Sequence, residues 1–101
     1  MTGIEKLDKA FESRVRLGIM SVLTGAGQSD FNTLKSMLGV SDGNLASHIR
    51  ALEELGYIET RKQFIGRKPN TSYSVTETGR KAFSAHIDAL TSLLGIVTGI
   101  H

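Results

Sequence analysis

The sequence predicts a mostly α-helical chain that carries one small antiparallel β-hairpin, an α+β class. Three observations predict it. Helical periodicity runs through three stretches of the first half and returns at the end. The period changes after Gly56, where β-branched and aromatic residues flank a Gly-Arg-Lys-Pro-Asn turn. Short polar capping residues and glycines stand at the joints between these stretches.

The first helix is expected over about Leu7 to Thr24. Phe11, Val15, Ile19, Val22 and Leu23 share one face, and Leu17 and Met20 lie on another. A helix that is apolar on two sides is sandwiched between partners. Gly25 and Gly27 end it. Asp30 can N-cap a short helix holding Leu34, Met37 and Leu38, with Gly39 as its stop. Ser41 can cap the next helix, which runs to Leu55 and stops at Gly56. The "LGVS" joint gives the pair helix-turn-helix spacing, over about residues 30–55. "YIETRKQFI" and "TSYSVT" then form a hairpin over about 57–76, with "GRKPN" as the loop. Thr76 can cap a last helix over about 77–97. There Phe83, Ile87, Leu90, Leu94 and Val97 follow at alternating spacings of four and three, a heptad seam. Asp88 is the last charged side chain, so the tail has nothing to cover its back in water.

Composition narrows the function. At 101 residues, one domain over 1–101 is expected. A chain of this length is not generously stable alone, and oligomerisation would help it. There are no cysteines, which removes disulfides, thiolate metal sites and cysteine nucleophiles. No apolar run is long enough to span a membrane and no signal-peptide core is visible, so a cytoplasmic protein is expected. The net charge of +2 says little, but its distribution says more. From Thr60 to Thr76 the charged residues are Arg61, Lys62, Arg67 and Lys68, with no acid. Concentrated positive charge is what an anionic partner feels.

The helix from Ser41 to Leu55 has an unusual front end. On a 100° wheel, Leu45, Ile49, Leu52 and Leu55 form the buried stripe. Gly43, Ser47, Arg50 and Glu54 point away from it, flanked by Asn44 and Ala46. Small residues with hydrogen-bonding tips suit close approach to base edges, and Arg50 can reach a guanine or a phosphate.

"SDGNLASHIRALEELGYIETRK" followed by "GRKPNTSYSVTETGR" resembles the winged helix-turn-helix transcriptional regulators of the MarR and ArsR type. The resemblance runs from about Ser13 to Phe83. It implies a dimeric DNA-binding regulator with a long C-terminal dimerisation helix. Asn44, Ala46, Ser47, His48 and Arg50 would lie at the major groove, with Arg67 and Lys68 in the wing. Arg61 and Lys62 complete the basic segment as DNA-contact candidates. The expected dimer interface combines Leu17 and Met20 with Phe83, Ile87, Leu90, Leu94 and Val97. The absence of cysteine excludes the cysteine-box metal sensors as a model, and the chain is shorter than typical MarR proteins.

The function expected is therefore sequence-specific binding of double-stranded DNA, at an inverted-repeat operator, by a homodimer that regulates transcription. The rival is a winged-helix protein-interaction module whose helix docks protein. A membrane-surface role for the tail ranks low, because no basic face flanks it. No catalytic constellation is legible, and neither an enzyme nor a cofactor is expected. His86 and Asp88 face different directions and make a poor metal pair, and His101 stands at the terminus, so no metal site is expected. His48 borders the buried stripe, where packing competes with a base contact. The effector, if one exists, is not legible.

Overall fold

The computed structural model describes residues 4–98, with side chains described through Gly95. Two 3-10 turns, Ile4–Lys6 and Lys9–Phe11, lead into α1 (Arg14–Ala26). Then follow β1 (Gln28–Asp30), α2 (Phe31–Leu38), α3 (Asp42–Glu54), β2 (Ile58–Ile65), β3 (Lys68–Val75) and α4 (Glu77–Thr98). This is the expected winged helix-turn-helix arrangement with a long last helix. The N-terminal helix expected from Leu7 is interrupted. Asp8 and Ser13 are both extended, and each turns its side chain onto a following N–H. Asp8 accepts from Ala10 at 2.9 Å and Ser13 from Arg16 at 3.3 Å. Two successive caps start helices and so cannot lie inside one.

The caps at the other joints are where the sequence puts them. Asp30 accepts the N–H of Thr33 at 2.7 Å and starts α2, which Gly39 ends in the left-handed conformation. Ser41 accepts the N–H of Asn44 at 3.2 Å and starts α3. Thr76 accepts the N–H of Gly79 at 2.9 Å and starts α4.

The hairpin is part of a larger sheet. β3 lies in the middle of three antiparallel strands, in the order β1-β3-β2. β1 pairs Gln28 with Ser74 and Asp30 with Ser72. "QSD" carries no β-forming residue and is strand only because β3 offers it an open edge. The hairpin turn is also tighter than the expected five-residue loop. Ile65 pairs with Lys68, leaving Gly66 and Arg67 as the two central residues. Gly66 takes φ +66, as the first position of a two-residue hairpin turn demands, while Arg67 keeps a negative φ.

One cluster of buried residues joins the elements. Ile19, Met20, Leu23, Leu34, Leu45 and Leu52 are fully enclosed, with Phe11, Ile49, Ile58 and Val75 around them. Burying each such side chain stabilises the fold by about 1.5–3 kcal/mol before entropy is counted. Leu55 is a correction to the expected stripe: α3 stops one residue earlier, and Leu55 is 47% exposed. The N-terminal turns are tied down at several points. The Tyr57 hydroxyl donates to Asp8 Oδ2 at 2.7 Å, and the Asp8 N–H donates to His86 Nδ1 at 3.0 Å. The hydrogen bond to Asp8, with burial and that carboxylate's charge behind it, pushes the Tyr57 phenol up to about 12. His86 is buried with its ring edge-on to Phe11, a core role that its sequence position does not reveal. Among the described residues, no helix is long and apolar enough to cross a membrane.

Candidate nucleic-acid interface

α3 presents two faces with different chemistry. Leu45, Ile49 and Leu52 anchor it to the core, while Gly43, Asn44, Ser47 and Arg50 are exposed on the opposite side. Gly43 is informative because a Cβ built there meets nothing within 4 Å. The chain's own packing therefore does not require a glycine at this position. What the glycine leaves is a bare first turn, flanked by the exposed amide of Asn44 and hydroxyl of Ser47. Ala46 is half-buried and sits at the edge of this face.

His48 is placed differently from its expected role as a groove contact. It is half-buried, and its Nδ1 accepts the Nε–H of Arg16 at 3.0 Å. That bond leaves Nε2 as the protonated nitrogen of the neutral ring. Burial pushes the imidazole below its ordinary pKa, and the Arg16 guanidinium adds to the effect. His48 is thus neutral at physiological pH and joins α3 to α1. The sequence could not show this contact, since the two residues are 32 positions apart. A second link is equally invisible there: Lys35 Nζ lies 2.7 Å from Asp42 Oδ1. This exposed pair adds little stability, but it offsets the acid in the first turn of α3.

The wing holds its four cations in the open. Arg61, Lys62, Arg67 and Lys68 are exposed, and none forms an ion pair with a described residue. They do not share a face. Strand alternation puts Arg61 and Lys68 on one side of the ribbon and Lys62 on the other, with Arg67 in the turn.

The expected dimer residues are divided by the fold. Met20 is fully enclosed in the chain's own core, so it is withdrawn from the interface set. α1 is flanked on two sides, as its sequence predicts, but by elements of the same chain. Phe83 is half-buried, packed edge-on against Phe11 with ring centres 5.6 Å apart. Leu17 is half-buried. Ile87, Leu90 and Leu94 are 39%, 40% and 63% exposed along one side of α4. The Val97 side chain and the whole of His101 lie outside the described residues.

Comparison with known proteins agrees with the fold. Residues 15–94 match the family model described as "Winged helix DNA-binding domain". A curated relative, the uncharacterized protein MJ0432 of Methanocaldococcus jannaschii, is 42% identical over 79 residues, 78% of this chain and 86% of that protein. A transcriptional regulator homologue from Pyrococcus horikoshii OT3 superposes with a TM-score of 0.70 at 31% identity, covering 96% of this chain and 98% of that one. The YusO protein of Bacillus subtilis superposes with a TM-score of 0.83 over 99% of this chain and 70% of its own. At 14% identity it speaks to the fold alone.

Proposed function

The chain belongs to the winged helix DNA-binding family, and from that premise we propose that it is a sequence-specific reader of duplex DNA, acting as a homodimer to regulate transcription in the cytoplasm. The observation that carries the reading is the bare front of α3: Gly43 with open space around it, beside exposed Asn44, Ser47 and Arg50. Asn and Ser side chains suit base edges, and Arg50 suits a guanine or a phosphate. Ala46 and the Nε2–H of His48 border the same surface. Arg61, Lys62, Arg67 and Lys68 supply attraction to the phosphates, which carries no sequence information. Ile87, Leu90 and Leu94, continued by Val97 and flanked by Leu17, are the proposed dimer seam. A two-fold dimer places two α3 helices about 34 Å apart, so the operator is an inverted repeat with half-sites centred about 10 base pairs apart or a multiple of that.

Selection of bound sequences from random DNA, followed by binding of Ser47→Ala and Asn44→Ala, tests this. Each variant is expected to lose roughly 1–3 kcal/mol at particular half-site positions and to keep its affinity for scrambled DNA at the same salt. Equal weakening on both DNAs, or none on either, would remove α3 as the reader and put protein docking in its place.

A further inference from the structure

Phe64 is 74% exposed, belongs to no hydrophobic cluster and stands one residue before the closing pair of the hairpin. We propose that Phe64 is a wedge that the wing drives between two base pairs from the minor groove, unstacking them and bending the operator. The proposal rests on the DNA-binding reading above and deepens it.

The shape of the wing comes first. β1 covers β3 only at Ser72 to Ser74, so the pairs from Lys62–Thr71 to Ile65–Lys68 form a bare two-stranded ribbon. At about 3.3 Å per residue, it projects roughly 13 Å beyond the level of Arg61 and Ser72. The minor groove of B-DNA is only about 6 Å wide, so a ribbon of two strands stays at its mouth and only tip side chains enter. What the tip carries therefore decides what the wing does there.

The tip carries an aromatic ring among cations. Phe64 lies directly opposite Pro69. Pairs alternate along an antiparallel ladder and Ile65–Lys68 closes the turn, so Phe64–Pro69 is a pair without mutual hydrogen bonds. Pro69 therefore gives up no bond to β2, and its ring and that of Phe64 project from the same face. Lys62 lies on that face two residues back, Arg67 is in the turn, and no acid occurs between Thr60 and Thr76. Cations placed for the flanking phosphates around an exposed apolar side chain are the makings of a minor-groove wedge.

A protein or a membrane fits the tip less well. Lys62 and Thr71 share the ring's face, and Gln63 and Asn70 stand on the other face beside Ile65, so polar groups line both sides of the ribbon. Ile65, the other exposed apolar residue, points to the opposite face of the ribbon, so no flat apolar surface forms.

The test places 2-aminopurine at successive steps of the selected operator and a fluorescence-transfer pair at its ends. Wild-type protein is expected to brighten 2-aminopurine at one step per half-site and to shorten the end-to-end distance. Phe64→Ala should abolish both signals and weaken operator binding on the order of tenfold, with the salt dependence unchanged because no charge is removed. Phe64→Leu should keep most of both signals. The side chain is exposed, so an unchanged melting temperature is expected and confirms folding. Salt-sensitive DNA binding with no 2-aminopurine signal, or with a signal that Phe64→Ala retains, overturns the wedge and leaves the DNA reading standing. No DNA binding by the wild type overturns both; binding to phosphatidylglycerol vesicles that Phe64→Ala loses would then assign the tip to a membrane.

Discussion

The Nε–H of Arg16 on α1 reaches Nδ1 of His48 on α3 at 3.0 Å, fixing the candidate reading helix to the body of the chain by a polar contact beside its apolar anchors. The contact needs a neutral imidazole. A second proton on His48 would remove the acceptor and set two cations side by side.

This gives a pH dependence with a definite sign. Burial and Arg16 hold the folded-state pKa of His48 below its ordinary value of 6.5. The unfolded chain therefore takes the proton first. The stabilisation is fully present above about pH 6.5 and is lost as pH falls from there through the folded-state pKa. Melting curves at pH 7.5 and 5.5 should show a drop for the wild type that is smaller in His48→Gln. Equal drops would mean that His48 is not linked to folding.

Gly79 is fixed by space. A Cβ built there would sit 2.0 Å from the carbonyl oxygen of Tyr57, which also accepts the N–H of Thr76. The obstacle is backbone, so relief requires α4 to move away from the connection between α3 and β2. Gly79→Ala should cost about 3 kcal/mol or more and lower the melting temperature by roughly 10 °C or more. A melting point within a degree or two of the wild type would show that the joint gives easily.

Gly43 offers the opposite case. Its added Cβ meets nothing, and its φ is ordinary. Gly43→Ala should raise stability by about 0.4–1 kcal/mol through the unfolded chain. A larger side chain should still fold but obstruct the groove, so Gly43→Leu is expected to weaken operator binding more than tenfold, a change above about 1.4 kcal/mol. Titration and melting of the same two variants check it. Unimpaired binding by Gly43→Leu would mean that this turn does not meet the ligand.

The wing cations should set the salt response. Replacing Arg67 and Lys68 together with Ala should weaken operator and scrambled DNA alike. The logarithmic salt slope should flatten by roughly 0.9 for each phosphate that is no longer neutralised. An unaltered slope would place the tip away from the backbone.

What is legible in the sequence is local. Asp30, Ser41 and Thr76 cap helices because a short acceptor three residues ahead of a free N–H works in almost any surroundings. The two faces of α3 follow from its periodicity alone. The same locality misleads elsewhere. Asp8 and Ser13 are as capable of capping, but the apolar period runs through them. β1 is strand by virtue of its neighbour, and Met20 finds a place in the chain's own core instead of a partner. His86 and His48 acquire their roles from Asp8 and Arg16, 78 and 32 positions away. No spacing rule reaches that far. Phe64 looks like any strand residue until the ribbon is seen to run on past the end of β1 and leave its ring in water.

The dimer is the prediction on which the operator's symmetry depends. Ile87 and Leu90 are each about two-fifths exposed in the single chain, and they follow one another on α4 at helical spacing. Apolar side chains in this state cost the monomer little individually, but a row of them is a self-complementary surface when two helices cross. Because both are partly in water already, a charge at either position is tolerated by the monomer and is costly only when a partner buries it unpaired. Leu90→Glu and Ile87→Glu should therefore keep the wild-type circular dichroism while shifting the sedimentation coefficient from dimer to monomer. With only one half-site engaged at a time, operator affinity should then fall by about 100-fold or more, while a single half-site oligonucleotide should bind both forms alike. A wild type that sediments as a monomer at micromolar concentration would sink the seam, and the inverted-repeat operator with it.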